Sequence, residues 1–357
     1  MSRFLTVILM VSIELAAGCA ARASAGEWSL TGWMGAPRQY QTTTLLRDGR
    51  VLAVGGEVGG VATTAVELYD PETGTWQAVT PLRFARSHHT ATLLPGDKIL
   101  VAGGADLDGK AQATAEVFDV AAGAWSEVDD LISARRDHTA TLLLDGQVLV
   151  AGGSVDGAAI AEVEHYDPTA RSWSPLAALG AARAKHSATR LPDGQVMVLG
   201  GIGDAILDSA ELFDPGSNSW SLLPGALQVP RADHTATWLA TERLLVVGGG
   251  SGAELCEPLI GTLSCLSTTS PPLSDRAGHS ATLLATDEVL ITGGDPLEST
   301  LSQAEIYDPA SDSWRNAGGQ TFSRVGQTTT LLPSGKTLVV GAAGGSAELY
   351  HPQSGSW

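Results

Sequence analysis

Seven arginines, seven glutamates and five histidines recur on one beat through this 357-residue chain, and they are the side chains best placed to do chemistry. Arg38, Arg86, Arg135, Arg183, Arg231, Arg276 and Arg324 are followed by Glu67, Glu116, Glu164, Glu211, Glu254, Glu305 and Glu348. His89, His138, His186, His234 and His279 hold a third repeated place, taken by Gln41 in the first copy and Gln327 in the last. Such groups suggest a charged active ring or a metal centre. Repetition argues against both, because a group needed in every copy serves the scaffold, whereas a single site must break the pattern. The arginines and glutamates are read as ion pairs and loop hydrogen bonds within each copy, since buried charges need such partners. Metal ligands must converge to about 2 Å from one ion, which separate units of a wide array do not readily achieve. Glutamine as the substitute points to hydrogen bonding instead.

Other chemical signals are weak. Asp106-Leu107-Asp108-Gly109 opens with calcium-loop spacing but lacks the later Asp and Glu ligands, so it reads as a solvated loop. Gly-x-Ser-x-Gly, a Walker loop and a zinc-ligand pair are all missing from the sequence.

The elements behind this beat are visible between Arg135 and Trp173. Gly152-Gly153 recurs as Gly55-Gly56, Gly103-Gly104, Gly200-Gly201, Gly248-Gly249 and Gly293-Gly294, and as Gly341-Ala342, at steps of 48, 49, 48, 48, 45 and 48 residues. Within the copy, His138 to Leu144 forms one run rich in β-branched and aliphatic residues, and Asp145-Gly146 is a tight-hairpin signal. Gln147 to Ala151 is almost wholly apolar, as a strand buried on both faces should be. A polar loop, the run Glu162 to Tyr166, an Asp167-Pro168 turn and a strand carrying Trp173 complete the unit. About fifty residues for four antiparallel strands is the size of one propeller blade. Trp33 and Trp238 stand outside the repeat and are expected to be packed.

Residues 1–25 combine Arg3, an apolar run from Phe4 to Ile13 and then small residues, the profile of a secretory signal too short to span a bilayer. Two exits are legible. Ala23-Ser24-Ala25 suits simple cleavage before Gly26, and Ala16-Ala17-Gly18-Cys19 resembles an imperfect lipobox with Cys19 as the acylated residue. The expectation is an exported chain that is periplasmic, membrane-anchored through Cys19, or extracellular, with no transmembrane segment. The formal net charge of −18 repels phosphate backbones and anionic lipid, so no nucleic-acid partner is expected. Cys256 and Cys265 remain as an even pair and are read as a disulfide in the one copy that has lost its aromatics, with Leu263 in the tryptophan place. Two small buried hydrophobes are the alternative.

The glycine doublet, Glu-x-Tyr-Asp-Pro, a Trp six or seven residues later, and Arg-x-x-His-Thr-Ala-Thr before the first strand resemble the kelch repeat in a bacterial form, over residues 28 to 357. The resemblance implies an all-β fold spanning residues 26–357, a seven-bladed β-propeller of four-stranded antiparallel blades. Trp28, Trp76, Trp125, Trp173, Trp220, Trp314 and Trp357, with Leu263, give eight fourth-strand positions for seven blades. Trp28 stands as far before Arg38 as Trp76 does before Arg86, so the N-terminal strand is expected to close the ring.

Two enzyme groups share such propellers. Galactose oxidases use a copper site with tyrosine and histidine ligands and a tyrosine cross-linked to cysteine, yet Tyr69, Tyr166, Tyr307 and Tyr350 fill the repeat's aromatic place here and leave only Tyr40. Sialic acid epimerases need acid and base groups at the channel mouth without a metal. No such pair is identified by the sequence.

If the His-Thr-Ala-Thr strand is innermost, as the resemblance implies, the residue before each repeated His or Gln lies at the channel mouth. That position reads Tyr40, His88, Asp137, Lys185, Asp233, Gly278 and Gly326. Here the repetition fails, and the first five are the candidate ligand-binding residues, suited to an uncharged or zwitterionic ligand. The expectation is a monomeric, non-enzymatic interaction module for a glycan or protein segment, without metal or cofactor. The alternative is a carbohydrate-active enzyme of the kelch sugar epimerase or mutarotase kind.

Overall fold

The computed structural model describes residues 26–223, 226–259, 261–294, 302–341 and 343–352. The predicted signal with Cys19, and Trp357, lie outside the described residues.

The described chain folds as seven four-stranded antiparallel sheets, each a blade. Blade 1 runs through Thr42–Leu45, Val51–Val54, Val66–Asp70 and Thr75–Ala78, from the axis outward. First strands of successive blades are neighbours around a closed circle, so the His-Thr-Ala-Thr strand is innermost. The second strand explains its apolar run. Val51 and Ala53 pack against Leu338 and Val340 of blade 7, while Leu52 and Val54 pack against Ile99 and Val101 of blade 2. Alternate side chains of one strand thus fill two different seams.

The ring closes through Glu27–Thr31, which pairs antiparallel with Ala347–His351 as the fourth strand of blade 7. Trp28 stands opposite Tyr350, as Trp76 stands opposite Tyr69. With this strand blade 7 has four strands like the other six.

Three repeated features lock one blade to the next or brace a single blade. First, five of the seven innermost strands bind their neighbour's histidine: Nε2 of His138 meets Thr90 Oγ1 at 2.9 Å, and Nε2 of His186 meets Thr139 Oγ1 at 2.9 Å. Second, the doublet glycine makes room for that ring. Gly152 has φ 58°, and a Cβ there would lie 2.4 Å from Arg183 O and 2.9 Å from His186 Cε1. Only glycine combines that backbone with that clearance. Third, the arginine braces its own blade. Arg135 Nη1 donates to Gly152 O at 2.7 Å and Glu162 O at 2.9 Å, and Nη2 to Glu164 Oε1 at 2.6 Å. Glu164 in turn accepts the Ile132 N–H at 2.8 Å, so the pair ties the approach loop to the sheet.

Blade 5 departs from the pattern and corrects one expectation. In six blades the third and fourth strands set an aromatic residue opposite tryptophan, with ring centroids 4.9 to 5.1 Å apart. In blade 5 the same cross-strand place holds Cys256 opposite Cys265, joined as a disulfide. The tryptophan place is therefore Cys265. Leu263 lies opposite Pro258, because the hairpin Ala253–Leu259 with Thr262–Ser267 runs farther before turning. Counting residues across a turn of fixed length misplaced it.

Trp238 is half-buried against the blade 4 and 5 core. Trp33, expected to pack, is 56% exposed, with the Phe322 ring edge-on at 6.5 Å. Asp106 closes its own loop by accepting the N–H groups of Asp108 and Lys110, each at 2.9 Å.

Candidate functional site: the axial pocket

The structure brings Tyr40, His88, Asp137, Lys185 and Asp233 together with Gly278 and Gly326 around one cavity of about 440 Å³ at the axis. His186, His234 and His279 form part of its wall below them. Backbone geometry places the upper residues. All seven are left-handed, with φ between 51° and 63°. Six of the seven N–H groups donate to the carbonyl of the counterpart one blade back: His88 to Tyr40, Asp137 to His88, Lys185 to Asp137, Asp233 to Lys185, Gly278 to Asp233 and Tyr40 to Gly326, at 2.8 to 3.3 Å. Among the described residues the step from Gly326 to Gly278 is not made, so this collar is open between blades 6 and 7.

The left-handed backbone is comfortable for glycine and costs most other residues roughly 1 to 2 kcal/mol, less for Asp and His, so Tyr40 and Lys185 carry the largest strain. The remaining non-glycine residues with positive φ all lie in turns: Asp97, Asp156, Arg171, Asn218, Glu242, Asp287 and Asp312. Five larger side chains are held in this conformation at the collar and converge on one cavity.

Their side chains are cross-linked. Tyr40 and His88 stack with centroids 4.1 Å apart. His88 Nδ1 lies 2.9 Å from Asp137 Oδ1, and His88 Nε2 lies 3.4 Å from Glu57 Oε1. Asp137 also accepts from Arg136 Nε at 2.9 Å. Burial raises the Asp137 carboxyl, but hydrogen bonds and charge from His88 and Arg136 outweigh it and hold the group well below the usual range. Lys185 Nζ pairs with Asp233 Oδ2 at 2.9 Å, which offsets partial burial and raises the lysine. Each charged side chain at the collar already has a partner there.

The two glycines are not equivalent. A Cβ at Gly326 would come within 2.7 Å of the Tyr40 ring, so this glycine seats the tyrosine. A Cβ at Gly278 would meet nothing within 4 Å. With His88 on one side and Gly326 on the other, Tyr40 is held from both neighbouring blades.

Glu57 and Arg136 belong to the site and were missed. Glu57 directly follows the blade 1 doublet, where the other blades carry Ala105, Ser154, Ile202, Gly250, Asp295 and Ala343. That break in the repeat was the available signal.

The buried histidines are structural. Burial and nearby arginines hold His138, His186, His234 and His279 down to about 3, so they are neutral. One group of three metal-type ligands lies within reach of a single point among the described residues, Glu254, Cys256 and Cys265, and its two sulfurs are bonded to each other. The remaining tyrosines, Tyr69, Tyr166, Tyr307 and Tyr350, are buried opposite tryptophans, so the copper-radical ligand set does not fit this chain.

Comparisons agree with this architecture. The family model for the kelch repeats of KLHDC2, KLHL20 and DRC7 matches residues 41–249. F-box protein AFR from Arabidopsis thaliana is 38% identical over 69 residues, which cover 19% of this chain and 18% of that protein. The match thus spans under a fifth of that relative's length. A fungal alcohol oxidase of the AA5 family, solved in complex with copper, superposes with a TM-score of 0.75 at 17% identity, covering 92% of this chain and 77% of that one. At that identity the likeness concerns the fold. Repeat, closure and family match lead to one conclusion: this chain belongs to the kelch-repeat β-propeller family.

Proposed function

We propose that this kelch propeller is an exported, non-enzymatic interaction module that holds a glycan or protein segment in the axial pocket. Residues 1–25 would direct export, leaving the propeller periplasmic, anchored through Cys19, or extracellular. The observation that carries the reading is the set of five left-handed residues, Tyr40, His88, Asp137, Lys185 and Asp233, around one cavity. Glycine suits this backbone better, so larger side chains kept there at a cost in strain point to function rather than to folding. Kelch propellers as a class also suggest protein interaction.

Internal pairing of the collar charges favours an uncharged or zwitterionic ligand, because a singly charged one would have to break a pair. Screening purified protein against glycan and peptide arrays is the test. Replacing Tyr40, His88 and Lys185 together by alanine should weaken any captured ligand at least about tenfold, or roughly 1.4 kcal/mol. Unchanged affinity rejects the axial pocket as the site.

A second reading, a sugar epimerase or mutarotase, draws on His88 oriented by Asp137 close to Lys185, an arrangement that could move protons. Isomerisation of a free sugar by the purified protein would favour it over the binding role.

A further inference from the structure

The face that carries the axial pocket is uneven, and chain lengths show why. Between the second doublet position and the repeated glutamate, blades 1 to 4 place long loops: Gly56 to Glu67, Gly104 to Glu116, Gly153 to Glu164 and Gly201 to Glu211. Blade 5 goes from Gly249 to Glu254 directly. Where the missing loop would stand, a groove of about 490 Å³ opens between blades 5 and 6. Its floor includes Ser251 and Gly252, and its wall is the apolar run Pro271, Pro272 and Leu273 with Val229 beside it. Leu273 is 56% exposed. Asp275 lines this groove and Ala277, two residues on, lines the axial pocket. Gly278 lines the axial pocket on this side, with open space where a side chain would project, and the main-chain bridge from the Gly249 N–H to Arg276 O at 2.8 Å lies next to it.

Building on the axial-pocket reading, we infer that the groove of blade 5 and the axial pocket form one radial site for an extended polypeptide segment that lays a basic side chain in the groove beside Asp275 and an uncharged stretch across the collar at Gly278. Three observations select that occupant. The groove contains no aromatic ring, so it lacks the stacking platform a sugar would use. Its wall is aliphatic, and its floor is main chain and small residues, which suit an extended segment with one aliphatic side chain laid on Pro271 to Leu273. Its basic residue, Arg231, is spent on Glu254 at 2.9 Å, while Asp275 has no basic partner within salt-bridge distance among the described residues. A groove left with one acidic group, on a chain of net charge −18, favours lysine or arginine in the segment.

The probes are an array of short lysine-containing peptides, each with one leucine or isoleucine, and a parallel array of oligosaccharides. Binding of the best peptide is then followed by fluorescence anisotropy. Leu273→Glu alters an exposed side chain in the groove. Gly278→Tyr fills the crossing with a residue type that Tyr40 already carries at the same backbone conformation. Each should lower affinity at least about tenfold while leaving the melting temperature within a few degrees of wild type, as should the Tyr40, His88 and Lys185 triple variant. Loss in the triple variant with normal binding by Leu273→Glu and Gly278→Tyr overturns the radial site and leaves the axial pocket standing. Normal binding by the triple variant with loss in the other two overturns the joining of the cavities and the axial reading with it. Retention of oligosaccharides alone overturns the polypeptide occupant.

Discussion

Residues 88 and 89 are adjacent in one strand approach, yet their counterparts around the ring form two circles of opposite character. The circle of His89 is buried and nearly uniform: five histidines and two glutamines, with histidine Nε2 on a neighbouring Thr or Ser hydroxyl. The circle of His88 is varied, left-handed throughout and lines a cavity. Blade-to-blade packing fixes the first circle, since each ring must fit against a glycine of the preceding blade. Packing leaves the second free, and it asks only for a backbone that glycine would satisfy best. Repetition marks what the scaffold needs, and its failure marks where selection for something else acted.

Acid should break the comparison most forcefully, by attacking first the buried circle of His89. Burial holds His138, His186, His234 and His279 near 3 and His89 well below its ordinary value, so the folded chain refuses protons that the unfolded chain accepts. Stability is then full above the ordinary histidine value near 6.5 and is lost as pH falls from there toward 3. Near pH 5 each such histidine costs about 2 kcal/mol. Thermal melts across this range should show a steep fall, and a flat profile would mean the rings are not held neutral.

Next in size is the glycine that seats a histidine. Gly152→Ala brings a Cβ to 2.4 Å from Arg183 O in addition to its backbone strain, and should cost about 3 kcal/mol or more in denaturant unfolding. A loss below about 1 kcal/mol would show that blades part easily. Reducing the Cys256–Cys265 bond should cost about 2 to 3 kcal/mol while leaving ligand affinity intact, since it replaces an outer aromatic pair far from the collar in the strand order. Equal melts with and without reductant would contradict that role.

The smallest effect is the sharpest. Gly278→Ala should cost only the left-handed strain, about 1 kcal/mol, whereas Gly326→Ala should cost more and displace Tyr40 from His88. Identical melts for the two would erase the distinction between the glycine that supports and the glycine that leaves space.

Much of this was legible in sequence because a propeller writes its scaffold seven times. The doublets, the Arg and Glu beat and the eighth tryptophan position at Trp28 fixed blade number and closure. The collar was legible as the place where the beat fails. What escaped depended on turns and neighbours. The extended blade 5 hairpin moved the tryptophan place from Leu263 to Cys265, and Trp33 is exposed although nothing in its spacing says so. Glu57 and Arg136 reach the collar from variable positions beside the doublet and within Arg-x-x-His, where spacing alone does not say that the side chain turns toward the axis.

The claim that the collar is kept for recognition is tested most directly by replacing Tyr40, His88, Asp137, Lys185 and Asp233 together by glycine and measuring the melt beside ligand affinity. Relief of left-handed strain worth roughly 1 kcal/mol per site offsets part of the lost Asp137 and Lys185 pairs and of the added chain entropy, so the melting temperature should fall by no more than a few degrees while binding disappears. A melt that collapses, or an affinity that survives, would show that these side chains belong to the scaffold after all.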